Sequence, residues 1–182
     1  MTPTRKQPIF FVSGASGVGK SSACEILFRK ETDYLVLESD LLWEERYNHP
    51  EDNYRDFRRL WLRVCANAAQ IGKPVVLCGC TTPEQYETCP ERELFAETHY
   101  LAVVCSDAEL ERRMREGRGI TDPAWLESSR HFNRWLREHG PGLTPPVRLV
   151  EADGLTAEET AEQIEAWIRS ALRESNGKES TT

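Results

Sequence analysis

The chain has 182 residues, 39% of them hydrophobic and 29% charged, with a formal net charge of −7. That length supports one domain with a real core, and the composition is that of a soluble globular protein. No apolar run reaches bilayer-spanning length, and segment 1–8 lacks the apolar centre of a signal peptide. The acidic balance argues against a dedicated nucleic-acid binder. A cytoplasmic location is expected.

The first element is an apolar run, Ile9–Val12, followed by Gly14-Ala-Ser-Gly-Val-Gly-Lys-Ser21 and a helix-compatible run from Ser22 to Lys30. The middle stretch fits G-x-x-x-x-G-K-[ST] without mismatch, and its strand–loop–helix setting is that of a phosphate-binding loop. A polyphosphate needs N–H donors converging from a tight concave turn. Gly14, Gly17 and Gly19 let the backbone bend and approach closely. Ala15, Ser16 and Val18 contribute backbone between them, and Ser22 sits in the first helical turn, where amides and dipole favour an anion. Lys20 can reach the β and γ phosphates and the Ser21 hydroxyl can bind magnesium. ATP and Mg2+ are the expected ligands.

A second apolar run, Tyr34–Leu37, ends in Glu38-Ser39-Asp40. A carboxylate beside a γ-phosphate can hold magnesium-bound water or accept a proton, which favours Asp40 as a catalytic and metal-linked residue. The competing reading is an N-cap for the helix that follows. Residues 41–71 form an insertion with a polar turn, His49–Asn53, then a helix ending near Gly72. Its aromatics and arginines, among them Trp43, Tyr54, Phe57, Arg58 and Trp61, suit an acceptor site. The spacing of Phe57 and Trp61 also suits plain core packing.

The third run, Val75–Cys78, precedes Thr82-Pro-Glu-Gln85, a capping box with proline at the first helical position. The fourth, Tyr100–Cys105, precedes another box, Ser106–Glu109. Arg112, Arg113, Arg115 and Arg118 cluster next, and a second insertion, 115–142, reads as a lid. Asp122-Pro123 opens its helix and Gly140 closes it. Arg130, Arg134 and Arg137 form one stripe on that helix. The lid should supply cations to the transferring group, so Arg115, Arg130 and Arg134 are candidate catalytic residues and Arg112 a nucleotide contact. A solvated flank with internal ion pairs is the alternative. The fifth run, Val147–Val150, precedes a capping box at Thr156–Glu159 and a last helix carrying Ala161, Ile164, Ile168 and Leu172 at helical spacing. The polar tail, 174–182, is expected to be disordered.

Strands alternating with helices give an α/β fold with a parallel sheet. The six cysteines match no zinc or redox spacing. Most lie in apolar runs and read as small core residues in a reducing compartment, with Cys78 and Cys80 a minor metal-binding option. The four histidines form no recognisable triad or metal set.

Over roughly Pro8 to Arg173 the chain resembles the small P-loop kinases, the group of nucleotide, gluconate and shikimate kinases and chloramphenicol phosphotransferase. The resemblance rests on Gly14–Ser21, the acidic end of the second strand, the arginine-rich lid and Ala152-Asp-Gly-Leu-Thr156. It implies a three-layer fold whose five-stranded parallel sheet has order 2-3-1-4-5, with an acceptor-binding helical insertion and a short lid in a single domain, 8–173. It implies Asp40 at the acceptor hydroxyl or magnesium-bound water, and Asp153 and Leu155 beside the adenine. The third strand departs from the nucleoside monophosphate kinase pattern, ending Cys78-Gly-Cys-Thr-Thr82 with no aspartate. The GTPase signature Asn-Lys-x-Asp is absent. The expected function is ATP- and Mg2+-dependent phosphoryl transfer to a nucleoside, nucleotide or other hydroxyl acceptor. A nucleotide-binding sensor with little transfer is the alternative. Neither reading sets an oligomeric state.

Overall fold

A computed structural model of the chain describes residues 6–30 and 33–179, with side chains through residue 175. Five parallel strands, β1 (Ile9–Ser13), β2 (Leu35–Glu38), β3 (Val75–Cys78), β4 (Thr98–Val104) and β5 (Val147–Glu151), form one sheet in the order β2-β3-β1-β4-β5. The parallel sheet is the one that the alternating runs predict, and the strand order is the one that the resemblance to small P-loop kinases implies.

The inner strands read as continuous apolar runs because helices cover both faces. Successive side chains of β1 enter opposite cores. Phe10 and Val12 join Val76, Leu101 and Val103 on one side, under α1 (Lys20–Arg29) and α6 (Ala157–Glu179). There the Trp167 ring meets Phe10 edge-on at 5.3 Å between centroids. Ile9 and Phe11 join Leu77, Tyr100 and Val104 on the other, under α2 (Arg55–Ala68) and α3 (Pro83–Glu87). The lid helix α5 (Pro123–His139) reaches both cores, with Leu126 in the first and Leu136 in the second.

The predicted helix starts are present. Thr82 and Gln85 close a capping box on α3. Ser106 accepts from the Glu109 amide at the start of α4 (Asp107–Arg112), Asp122 from the Ala124 amide at α5, and Thr156 and Glu159 cap α6 reciprocally. The tail is a correction. α6 continues to Glu179, with residues 180–182 outside the described part. Extending a packed helix costs far less than nucleating one, and the Ser175 hydroxyl donates to Glu97 at 2.6 Å.

The cysteines need a second correction. Cys24 and Cys78 are core residues, yet their sulfurs are joined in a disulfide that links α1 to the end of β3. They are 54 residues apart in sequence, so only packing of α1 on β3 brings them together. Cys65, Cys80, Cys89 and Cys105 are free thiols. β3 stops at Cys78, so strand alternation does not extend to Cys80.

The carboxyl ends of the strands are tied to one another and to neighbouring helices. The Ser13 hydroxyl donates to the Thr81 carbonyl at 2.5 Å and accepts from the Thr81 amide at 3.1 Å. The Trp61 indole donates to the Ser39 carbonyl at 3.0 Å. Asn133, fully buried on α5, accepts from the Cys105 amide at 3.2 Å and donates to the Cys105 carbonyl at 2.7 Å. Replacing Asn133 with alanine strands both backbone groups away from water. Each such group costs about 1–3 kcal/mol, so Asn133→Ala is expected to lower the unfolding free energy by at least that much. Urea denaturation checks it, and a midpoint unchanged from wild type would contradict the assignment.

Candidate active site

The loop between β1 and α1 is held open by contacts that only glycine permits. Gly14 has φ 148°, and a Cβ there would lie 2.6 Å from the Val103 carbonyl oxygen. Gly17 has φ 89°, and a Cβ there would lie 2.5 Å from Met114 Cγ. The loop is thus pressed onto β4 and onto the turn after α4, with Val18 as its buried anchor and Ala15 almost covered.

α1 starts at Lys20 with no side-chain cap and no acidic residue in its first turn. Its first amides therefore lack the usual partner. Gly19, Lys20, Ser21 and Ser22 line a cavity of about 820 Å3, together with Ala15, Ser16 and Gly17. Lys20 is 5% exposed and has no carboxylate partner among the described residues. An uncapped helix start and an unpaired buried cation facing one cavity make an anion site. Ser21 and Asp40 both line this cavity, and their hard oxygens fit a magnesium ion that keeps water and phosphate ligands. Among the described residues no group of three or more His, Cys, Asp or Glu forms an all-protein metal cage.

Asp40 lies in a 3-10 turn, Ser39–Leu42, at the end of β2. Glu38 holds the N-cap position, so Asp40 does not cap the turn; its carboxylate accepts a long bond from the Ser39 hydroxyl at 3.4 Å. Asp40 and Cys80 also line a second cavity of about 370 Å3, under the α2 insertion. The two cavities therefore meet at these residues. Cys80 is an exposed residue whose thiol donates to the Gly14 carbonyl at 3.1 Å; crowding of the sulfur by neighbouring protein atoms raises its pKa, and the Lys20 charge opposes this. It is a neutral wall rather than a thiolate nucleophile.

The lid arginines divide into two groups. Arg112, Arg113 and Arg118 line the large cavity. Arg113 is a staple: it donates to the Val18 carbonyl at 2.7 Å and the Ala152 carbonyl at 2.8 Å while pairing with Glu109. Arg112 pairs with Glu109 at 2.8 Å and Glu116 at 3.2 Å. Arg118 is exposed and makes no hydrogen bond or ion pair within the described residues. Arg115, Arg130 and Arg134 are not part of this wall. Arg115 pairs with Glu111 at 2.8 Å, Arg130 with Glu111 at 2.7 Å and Glu127 at 2.8 Å, and Arg134 with Glu127 at 3.1 Å. Helical spacing groups these side chains but does not say which carboxylates the neighbouring helix offers.

Beyond β5, Leu155 lines the cavity, whereas the Asp153 carboxylate accepts from the Ser106 amide at 2.8 Å and hydroxyl at 2.5 Å. Asp153 therefore ties two loops together. Lining residues outside the predicted contacts include Cys80, Glu109, Gly117, Ala157, Trp125 at the start of α5 and Thr160 on α6. Trp125 is 44% exposed, an unusual placement for an indole, and its sequence signal was submerged in the apolar stripe of α5.

No family model matches the chain, and no curated protein matches it by sequence. Solved structures match over nearly the whole length. A gluconokinase from Sinorhizobium meliloti 1021 aligns with TM-score 0.67 and 19% identity, over 96% of this chain and 98% of that one. A tunicamycin resistance protein from Deinococcus radiodurans aligns with TM-score 0.64 and 16% identity, over 90% and 96%. A sugar kinase from Janibacter sp. HTCC2649 aligns with TM-score 0.59 and 18% identity, over 91% and 95%. The chain has the P-loop kinase fold.

Glu109 makes the staple testable by pH. Hydrogen bonds from Arg112, then Arg113, hold its carboxyl down at about 2, against an ordinary 4.5. A depressed carboxylate stabilises the fold above its unfolded pKa and loses that contribution as pH falls through its folded one. Wild-type stability should thus fall between about pH 4.5 and pH 2 more steeply than that of Glu109→Gln, which starts lower at neutral pH. Denaturation midpoints across that range check it; parallel curves would contradict it.

Proposed function

We propose that the chain is a nucleoside-triphosphate-dependent phosphotransferase, using ATP and Mg2+, that phosphorylates a hydroxyl compound held in the smaller cavity. One observation carries this reading: the anion-ready start of α1 and the cavity under α2 share a wall at Asp40. A single phosphate-binding site needs no second cavity opening onto it.

The roles follow from charge and position. Amides of Gly17–Ser22 and the Lys20 ammonium hold the β- and γ-phosphoryl oxygens. Ser21 and Asp40, the latter through water, are the residues that would hold Mg2+, which when bound neutralises phosphate charge. The acceptor oxygen forms the new bond to the γ-phosphorus, the bond from that phosphorus to the bridging oxygen of the β-phosphate breaks, and ADP departs with the electron pair. Asp40 accepts the acceptor proton as the bond forms. Arg118, unpaired at the cavity wall, offers a further cation to the equatorial oxygens, and Leu155 covers the base. Arg113 is a positioning residue, because it grips the loop through carbonyls. Arg115, Arg130 and Arg134 reach the phosphates only by exchanging carboxylate partners. The exposed pairs of Arg115 and Arg134 are worth about 0–1 kcal/mol, so exchange costs them little, whereas Arg130 is half-buried between two carboxylates.

Kinases among the solved structures of the same fold support transfer chemistry in general, while identities below one in five carry no acceptor across. A sensor that binds nucleotide and transfers little remains the second reading, favoured by β3 ending in Cys78-Gly-Cys80 without a metal-binding carboxylate.

Acceptor-dependent ADP release, screened over nucleosides, nucleotides, sugars and hydroxy acids, decides between the readings. Tight nucleotide binding without acceptor dependence favours the sensor. For a kinase, Lys20→Ala should lower kcat/KM by about 100-fold or more, the range for a positioned charge stabiliser. Asp40→Asn should lower kcat while the ATP affinity measured by calorimetry stays near wild type. An Asp40→Asn variant turning over at the wild-type rate removes that residue from the chemistry.

A further inference from the structure

The smaller cavity contains a charge that the chain itself does not answer. Arg58, on α2, is 6% exposed and lines that cavity. Its guanidinium lies against three aromatic rings, those of Tyr54, Phe57 and Tyr86, at 5.6, 5.5 and 5.4 Å from their centroids. One Nη donates to the Cys80 carbonyl at 2.9 Å. The buried Nε has no partner, and among the described residues no carboxylate pairs with the group.

Asp40 lines the same cavity without pairing with Arg58, and Glu87 and Glu91 are engaged elsewhere. Glu91 receives a bidentate pair from Arg59, and Glu87 pairs with Arg92 while accepting from Tyr100. The adjacent phenol and thiol do not become counter-ions: burial pushes Tyr86 up to about 12 against the charge and hydrogen bond of Arg58, and the pKa of Cys80 is raised as well. A buried cation without a partner is costly to fold around. The planar fork of arginine is suited to a carboxylate or phosphate.

The rest of the wall describes the body of the occupant. Trp43, Tyr54, Phe57 and Phe132 give it flat apolar surfaces, and the volume of about 370 Å3 suits a small molecule. Arg58 does not line the phosphate cavity, while Asp40 lines both. An anionic end is repelled by Asp40 and drawn to Arg58, which turns the opposite end of the molecule toward the phosphates.

We infer that Arg58 is a specificity residue that selects an acceptor with an apolar, ring-like body, an anionic group bound at Arg58, and a hydroxyl presented at Asp40. This rests on the phosphotransferase reading for the hydroxyl and on the cavity alone for the anion. Carboxylate and phosphate share the chemistry, so both are tested.

The test is binding to the full chain without ATP, followed by calorimetry and by tryptophan fluorescence, since Trp43 lines the site. Two matched pairs serve as probes: 4-(hydroxymethyl)benzoate against 4-(hydroxymethyl)benzamide, and uridine 5′-monophosphate against uridine. At least one anionic member should bind about tenfold tighter than its neutral partner or better. Which pair responds identifies the anion. Arg58→Met should abolish the preference without lowering Tm, because it removes an uncompensated buried charge. Arg58→Lys, which keeps charge but loses the fork, should weaken it about threefold or more. No preference in either pair, or a preference that survives both substitutions, overturns the inference. A preference that depends on Arg58, without acceptor-dependent ADP release in the screen, upholds the anion site and removes the phosphotransferase reading instead.

Discussion

Two buried cations without internal counter-ions set the terms for this fold. Lys20 and Arg58 are 5% and 6% exposed, and among the described residues neither is paired with a carboxylate. Removing an ammonium or guanidinium from water is expensive, and the usual remedy is a partner acid. The chain has acids to spare, at a net charge of −7, yet places them elsewhere. Glu109 goes to Arg112 and Arg113, and Glu91 to Arg59. The unpaired charges are what an anionic ligand would answer, one in each cavity.

Holding such charges in place demands a stiff frame around them. The parallel sheet supplies it, because all five strands deliver their carboxyl ends to one side. Hydrogen bonds join neighbouring ends, Ser13 to Thr81 and Ser106 to Asp153, and tie two of them to helices, Ser39 to Trp61 of α2 and Cys105 to Asn133 of α5. Arg113 completes the ring by gripping Val18 and Ala152. The Cys24–Cys78 disulfide adds a covalent tie between α1 and the end of β3. The lid is built differently. Arg115 and Arg134 are exposed and satisfied by neighbouring carboxylates, so they rearrange far more cheaply than the frame does.

This contrast explains what the sequence discloses. Strands buried on both faces must be apolar throughout, so Ile9–Val12 and Val75–Cys78 are visible as runs. Phosphate binding needs glycine at fixed positions and a lysine in register, so residues 14–21 are legible one by one. Capping boxes at Thr82 and Thr156 are local and equally readable. Partner choice is not local. Whether Arg130 meets a phosphate or Glu111, nineteen positions away, depends on how α5 lies against α4. The same holds for Cys24 and Cys78. Arg58 is instructive because it was visible among the acceptor-region arginines, with nothing in its neighbours to distinguish it. Arg46 and Arg55 beside it pair with Glu44 and Asp52 on the surface. Burial without a partner is a property of the packed chain alone.

The meeting of the two cavities has its own logic. The shared wall consists of a carboxylate, Asp40, and a neutral thiol, Cys80. A carboxylate at the β3 end as well would set two negative charges around the point where phosphate charge develops, raising one pKa and opposing the anion. Cys80 avoids that repulsion, and its bond to the Gly14 carbonyl holds the start of the phosphate loop. The missing strand-three aspartate thus need not mark a lost activity. With one carboxylate between Lys20 and Arg58, an acceptor that is itself anionic meets less opposing charge than it would with two. The departure from the common kinase pattern and the unpaired arginine point to the same kind of occupant.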